Sequence, residues 1–433
     1  MAIIPQMQFF SWEEVQPLGD LERLKLVLDT IPDEPLIRML ERARGRGRND
    51  YPVRAMWNSV LAGVVFQHPT IESLRRELRR NGQLREIVGL GGEAPSAWAY
   101  TRFLHHILEH LDDVEAIVHQ IIEDLQQALP DFGARLAIDS KALESFAKHQ
   151  SDAMTRDGRR DTDADWGKKT YRGVDAKGKA WEKVTAWFGY KIHLLVDATY
   201  ELPVAWTVTK ASTADITEAP TLVAQLQANH PGALKAARYL TADRGYDATS
   251  LVQSLWDHYG IKPVIDIRNM WKDGETTRLL PGYDTVTYNY RGEVFCHHPE
   301  TGEAHPMANG GFEADRSTLK KRCPAKFSGI TCDAQATCPV AQGIRIPLNI
   351  DRRVFTPVDR SSYTWEREYA HRTAVERVNS RLDVSFGFEL HTIRGMAKMR
   401  VRCGLALLVM LGMALGRIRQ QHPELLRSLV RSA

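Results

Sequence analysis

The spacing of apolar and polar positions divides the chain into a helical first third and a mixed remainder. Up to about residue 130, apolar residues recur at helical intervals with no strand-like runs. Residues 54–67 read as an apolar helix. TIESLRRELRR at 70–80 predicts a helix capped by Thr70 or Ser73, with Arg75, Arg76, Arg79 and Arg80 on its outer face. After a Gly-rich break, Ser96 precedes another helical pattern, AWAYTRFLHHILEHL. Two short helices and a third suit helix-turn-helix DNA binding, and they equally suit a plain bundle with a solvated Arg face. The basic stretch at 41–54, ERARGRGRNDYPVR, is broken by Gly and Pro and reads as a loop or helix edge.

From residue 134 the period changes. RLAID at 135–139 is a short apolar run ending in an acid, and polar 140–178 predicts a long loop or hairpin excursion. Segments 184–198 and 202–209, rich in β-branched and aromatic residues, predict strands. A helix over 214–229, capped by Ser212 or Thr213, leads to a strand at 238–242 that ends at Asp243. A helix at 247–259 and a strand at 262–267 follow. Strands first, then alternating helix and strand, define an α/β fold with a mixed sheet. Residues 268–350 break this rhythm with Gly, Pro, Thr and charge, and helical patterning returns near residue 363. The expected divisions are 1–130, helical; 131–267, first part of the core; 268–350, a β-rich insertion; and 351–433, the closing part of the core.

Composition adds boundaries. The chain has 433 residues, more than one core normally uses, with 43% hydrophobic and 26% charged residues. A net charge of +3 requires any nucleic-acid footprint to come from local patches. The opening MAIIPQMQFFSWEEV lacks the pattern of an export leader, so a cytoplasmic setting is expected. The apolar run at 403–416 is too short to span a bilayer and reads as a buried helix, with no membrane partner. Five cysteines in a reducing compartment point to thiols or metal ligands.

Asp139 and Asp243 each close a short strand pattern, the place where α/β sheets gather ligand sites. With a third acid they can hold a pair of divalent cations, and hard oxygen donors favour Mg2+ or Mn2+. That acid is offered by YAHRTAVERVNSR at 369–381, where Tyr369, Arg372 and Glu376 share one helix face. Arg372 suits a bidentate phosphate contact and Tyr369 a hydrogen bond. The structural alternatives are turn residues for the aspartates and a surface i,i+4 pair for Arg372 and Glu376.

Four segments carry a specific resemblance: RLAIDSKAL at 135–143, WFGYKIHLLVDATYELPVAWTVTKAS at 187–212, TADRGYD at 241–247 and EYAHRTAVERVNSRLDVSFGFELHTIRG at 368–395. In order and spacing the chain resembles the DDE transposases of bacterial insertion sequences, in the hairpin-forming branch with a Tyr-x2-Arg-x3-Glu-x6-Lys signature. The likeness covers about residues 135 to 415. It implies a ribonuclease H-like core with a β-rich insertion, preceded by a helical DNA-end-binding domain. Asp139, Asp243 and Glu376 carry over as the three metal ligands, and Tyr369 and Arg372 as phosphate contacts. The signature's final Lys falls at Asp383, an acidic departure that touches the phosphate clamp and the hairpin step. The resemblance also implies excision and strand transfer at terminal inverted repeats, double-stranded DNA partners, a homodimer on DNA and a nucleoid-associated location. Trp271 or Trp365 is a candidate to stack a flipped base.

Basic residues near these motifs are candidate DNA contacts: Lys141, Lys168, Lys169 and Lys191 near the first acid, and Arg394, Lys398, Arg400 and Arg402 after the third. Arg75, Arg76, Trp98 and Arg102 are the candidates in the helical region. Cys296, Cys323, Cys332 and Cys338 lie in the insertion, where His297 and His298 follow the first; they read as a structural Zn2+ site or as free buried thiols. Cys403 reads as core. A metal-dependent nuclease on the same core, or a DNA-binding derivative without catalysis, are the alternative functions.

Overall fold

The computed structural model describes residues 19–45, 50–147, 161–175 and 177–428. The opening segment and residues 46–49 of the basic stretch lie outside them.

Helices fill the first third: α1 (Leu21–Thr30), α2 (Glu34–Arg44), α3 (Val53–Val65), α4 (Ile71–Arg80), α5 (Gly82–Val88), α6 (Ala97–Glu109) and α7 (Leu111–Ala128). Side-chain caps start three of them, with Thr70, Asn81 and Ser96 accepting from the backbone N–H of Ser73, Leu84 and Ala99. Of the two expected caps for α4, Thr70 is the one used.

The main sheet comprises β1 (Arg135–Glu144), β2 (Asp165–Val174), β3 (Ala180–Asp197), β4 (Leu202–Lys210), β5 (Tyr239–Ala242) and β6 (Lys262–Ile265). Its core order is β4-β3-β1-β5-β6, with β3 antiparallel to β1 and β4, and β5 parallel to β1 and β6. This is the ribonuclease H-like arrangement that the resemblance implies. One boundary differs from expectation. β1 does not end at Asp139 but runs on to Glu144, because Ser140 to Glu144 keep pairing with β3. The polar stretch after it yields β2, which pairs with the exposed first half of β3 as a two-stranded ribbon. Tryptophans brace this ribbon: a Cβ on Gly167 or Gly173 would meet the rings of Trp187 and Trp181, their cross-strand partners. Gly189 marks the junction of ribbon and sheet, where a Cβ would lie 2.2 Å from the Leu143 carbonyl oxygen.

Helices α8 (Asp215–Asn229), α9 (Pro231–Ala236) and α10 (Thr249–Asp257) connect the later strands. Neither expected residue caps α8: its N-cap is Ala214, the Ser212 hydroxyl bonds Asp165, and the Thr213 carbonyl accepts from Lys191. The insertion folds into two small sheets. The first, in order β10-β9-β8-β7, joins β7 (Thr277–Leu279), β8 (Val286–Asn289), β9 (Val294–His297) and β10 (Ala304–Pro306). The second joins β11 (Ala308–Glu313), β12 (Thr318–Arg322) and β13 (Ile344–Pro347), with the short α11 (Pro324–Phe327) between its last two strands. These sheets share a separate apolar core that includes Val286, Val294, Ile346 and Phe355.

The chain closes with α12 (Tyr363–Ala370), α13 (Thr373–Phe386) and α14 (Met396–Arg419). By length and composition α14 could cross a bilayer, yet its apolar positions are buried inside the protein. It packs against α1, α3, α6, α7 and β4, so one apolar core joins the helical region to the main sheet.

Candidate active site

The site grows out of the β1–β5 register. Leu136 pairs with Leu240 and Ala137 with Thr241; Asp139 lies two residues past the last of these pairs and Asp243 directly past the end of β5, near enough for their charges to interact. The Thr241 hydroxyl donates to the Leu136 carbonyl (3.1 Å), pinning this level. Asp243 follows β5 directly, and its carboxylate accepts from the Gly245 N–H (2.7 Å), which fixes its rotamer.

Pleat alternation puts Arg135, Asp139 and Lys141 on one face of β1. Helices α12 and α13 cover that face in matching order. Arg135 donates to the buried Glu368 (2.9 Å), and Lys141 donates to Asp383. The spans agree: six strand residues rise about 20 Å, and fifteen helical residues about 22 Å. Between these clasps, Arg372 donates to Glu376 (2.6 Å) and lies near enough to Asp139 for the charges to interact. The segment expected as one helix is broken at His371 and Arg372, but both keep right-handed helical angles, so Tyr369, Arg372 and Glu376 still run along one side.

Burial shapes the electrostatics of Asp139. Burial pushes its carboxyl up to about 6, the neighbouring Asp243 adds to the shift, and the charge of Lys169 from β2 opposes it. Tyr369 is raised chiefly by burial, and it stacks on Trp365 with centroids 4.4 Å apart. The carboxylate oxygens of Asp139, Asp243 and Glu376 do not all come within 4.8 Å of one another. The structure thus brings the charges of the two aspartates into interaction and pairs Glu376 with Arg372. These are hard oxygen donors, and the Asp139 carboxyl is buried beside a like charge. The donor set therefore fits a divalent cation.

Other expected contacts are placed differently. Lys191 drops out of the DNA-facing set: it lies on the opposite face of the sheet from Asp139, buried, and donates to Asp215 (2.9 Å) and the Thr213 carbonyl (2.8 Å). Arg75 is largely buried and donates to the Pro95 carbonyl (2.7 Å) and to Glu72. Arg394 donates to the Phe146 carbonyl (2.7 Å). Arg76, Trp98, Arg102 and Lys398 are exposed. Trp365 is buried beneath Tyr369 and its ring is not open for a base, whereas Trp271 is half-buried with Arg278 over its ring at 4.3 Å. Sequence reasoning missed the ribbon as a surface. It carries exposed Lys168, Lys177, Lys179 and Lys183 with exposed Trp166 and Trp181. The alternation of Lys with Gly and Trp around 166–183 was the available signal.

Residues 133–411 match the family described as Transposase DDE domain. The chain belongs to that family. No curated protein matches it. Among solved structures, the cryo-EM structure of the piggyBac transposase synaptic complex with hairpin DNA aligns over 95% of this chain and 79% of that one. Identity is 12% and the TM-score 0.38, a likeness with no bearing on the site.

Proposed function

We propose that this chain is a cut-and-paste transposase that excises an insertion sequence and joins its ends to target DNA. What supports the reading is the interaction of the Asp139 and Asp243 charges past the paired β1–β5 residues, beside an Arg372 that pairs with Glu376, in a member of the transposase DDE family.

Asp139, Asp243 and Glu376 would hold two Mg2+ or Mn2+ ions, which when bound would activate the attacking oxygen and stabilise the leaving one. The protein's own part is orientation. Arg372, on exchanging Glu376 for the scissile phosphate, offers a bidentate donor pair. Tyr369, held flat by Trp365, directs its hydroxyl to a neighbouring phosphate. Lys141 and Lys169 supply positive charge beside Asp139. Water attack frees a 3′-OH, and that hydroxyl attacks the next phosphate; both are in-line transfers that one site serves. Double-stranded DNA at terminal inverted repeats lies across the ribbon lysines and the exposed Arg76, Trp98, Arg102 and Lys398. A homodimer holds two ends together.

The experiment is to incubate protein, Mg2+ and labelled element ends with and without target DNA. Joined products are expected. Cleavage without joining favours a nuclease, and a gel shift alone favours a DNA-binding derivative. Asp139→Ala, Asp243→Ala and Glu376→Ala should each lower cleavage by about 10³-fold or more while sparing DNA affinity. Any one that keeps wild-type cleavage removes its residue from the site.

A further inference from the structure

The insertion holds a second cluster of metal-binding side chains, remote in sequence from the three acids. Cys296 lies on β9, Cys323 follows β12, and Cys332 and Cys338 flank the short turn 333–336. All four line one cavity of about 20 Å3. That is room for a single ion or water and too little for an organic ligand. None of the four is in a disulfide.

The imidazoles around the cavity are committed elsewhere. The Nδ1 of His298 accepts from the backbone N–H of Glu300 (3.3 Å) and Thr301 (3.2 Å), so its Nε2 carries the proton and donates to Asp333 (2.6 Å). His297 bonds the Thr287 hydroxyl through Nε2 (2.8 Å), and His305 lies 3.6 Å from Glu303. Among the described residues the donor atoms of His298, Cys332 and Asp333 come within 4.8 Å of one another, held by that histidine–carboxylate bond; no three of the four thiols come that close, so a shared ion would have to draw them together. The thiols are left as the soft donors facing the cavity.

The local fold also calls for a cross-link. The connection 323–343 between β12 and β13 contains only the four-residue α11 and one 3-10 turn. Its Phe327 is exposed under Arg322, and Val340 is its one fully covered large apolar residue. Connections beyond about 12–15 residues with so little structure are uncommon in compact domains. One thiol comes from the first small sheet and three from this connection, so a bound ion would join the two sheets.

We propose that Cys296, Cys323, Cys332 and Cys338 bind one structural Zn2+ as four thiolates, with His298 and Asp333 as a flanking pair outside the coordination sphere. Tetrahedral sulfur coordination requires all four positions, and binding releases the thiol protons to solvent.

The test is metal analysis of the intact chain purified without chelator. About one equivalent of zinc is expected, and Co2+-loaded protein should show the intense visible bands and near-ultraviolet charge transfer of tetrahedral thiolate coordination. Cys332→Ser with Cys338→Ser should lose both signals. Should that variant fail to fold, organomercurial titration of the unmodified chain must release zinc in proportion to the thiols blocked. Absence of zinc with freely reactive cysteines overturns the proposal, as does a Co2+ spectrum of six-coordinate oxygen ligation. His298→Ala should keep the equivalent, and its loss would overturn the four-thiol set. Asp139→Ala should leave zinc content unchanged, so failure here and failure of the catalytic reading are told apart.

Discussion

Asp383 stands where the family signature has a lysine, and it binds Lys141, one pleat from Asp139. The cation beside the acids comes here from the strand instead of the helix. Both side chains are mostly covered, so removing one leaves a charge unpaired. A double-mutant cycle on Lys141→Ala and Asp383→Ala should give a coupling of about 1–3 kcal/mol in denaturant unfolding. Asp383→Lys alone should destabilise more than Asp383→Ala, because it sets like charges face to face; equal stability of the two would show the pair to be idle. The aspartates were legible at this scale because each closes an apolar strand pattern. The clasps were not, since Lys141 meets Asp383 only after distant segments dock. Lys191 was misread for a related reason: its positive charge is plain in the sequence, but the face it occupies depends on the register of β3 with β1.

Among elements, the β2–β3 ribbon is the one whose extent the sequence reading left most open. Polar, Gly-rich 140–178 suggested a long loop or a hairpin excursion, and the hairpin is what forms, braced by cross-strand packing of Trp187 on Gly167 and Trp181 on Gly173, which no local propensity reports. Replacing Lys177, Lys179 and Lys183 together by Ala should weaken DNA binding. The slope of log affinity against log salt should fall by about 2–3, read by fluorescence anisotropy. An unchanged slope would place DNA elsewhere. A second element contact is sensitive to pH. His119 of α7 and His230, between α8 and α9, share a hydrogen bond of 2.9 Å. Burial, with His119 adding to it, lowers His230 from its ordinary 6.5 to about 4, and burial lowers His119 despite the charge of Glu123. The folded protein therefore binds fewer protons than the unfolded chain in this window. The contact's stability is complete above about pH 6.5 and is lost as pH falls toward 4. Thermal unfolding should reveal a loss of about 1 kcal/mol over this range after solvent screening. His230→Asn should flatten it; an unaltered profile would assign the loss to other groups.

For the whole molecule, the helical first third does not form a core of its own. Helix α14 lies among α1, α3, α6 and α7 on one side and β4 on the other. The 403–416 run was correctly legible as a buried helix, but which helices it would join was not, because that depends on close approach at its glycines. A Cβ on Gly416 would lie 2.6 Å from Leu26 Cδ1, and one on Gly412 would lie 2.9 Å from Ile31 Cγ1. Gly416→Val should destabilise the chain by about 1–3 kcal/mol. Calorimetry should find the helical region and the sheet still melting together. Separate transitions would mean that the shared core does not couple them.

Helix α14 also sets an order of events during synthesis. Helices α1–α7 leave the ribosome long before it does, with the apolar faces it will cover still bare. The nascent chain must wait in that state, presenting a surface for chaperones to guard. The helical region and the main sheet cannot share one core until this late-made helix docks, so a polypeptide interrupted just before it would carry Asp139, Asp243 and Glu376 on an unfinished scaffold.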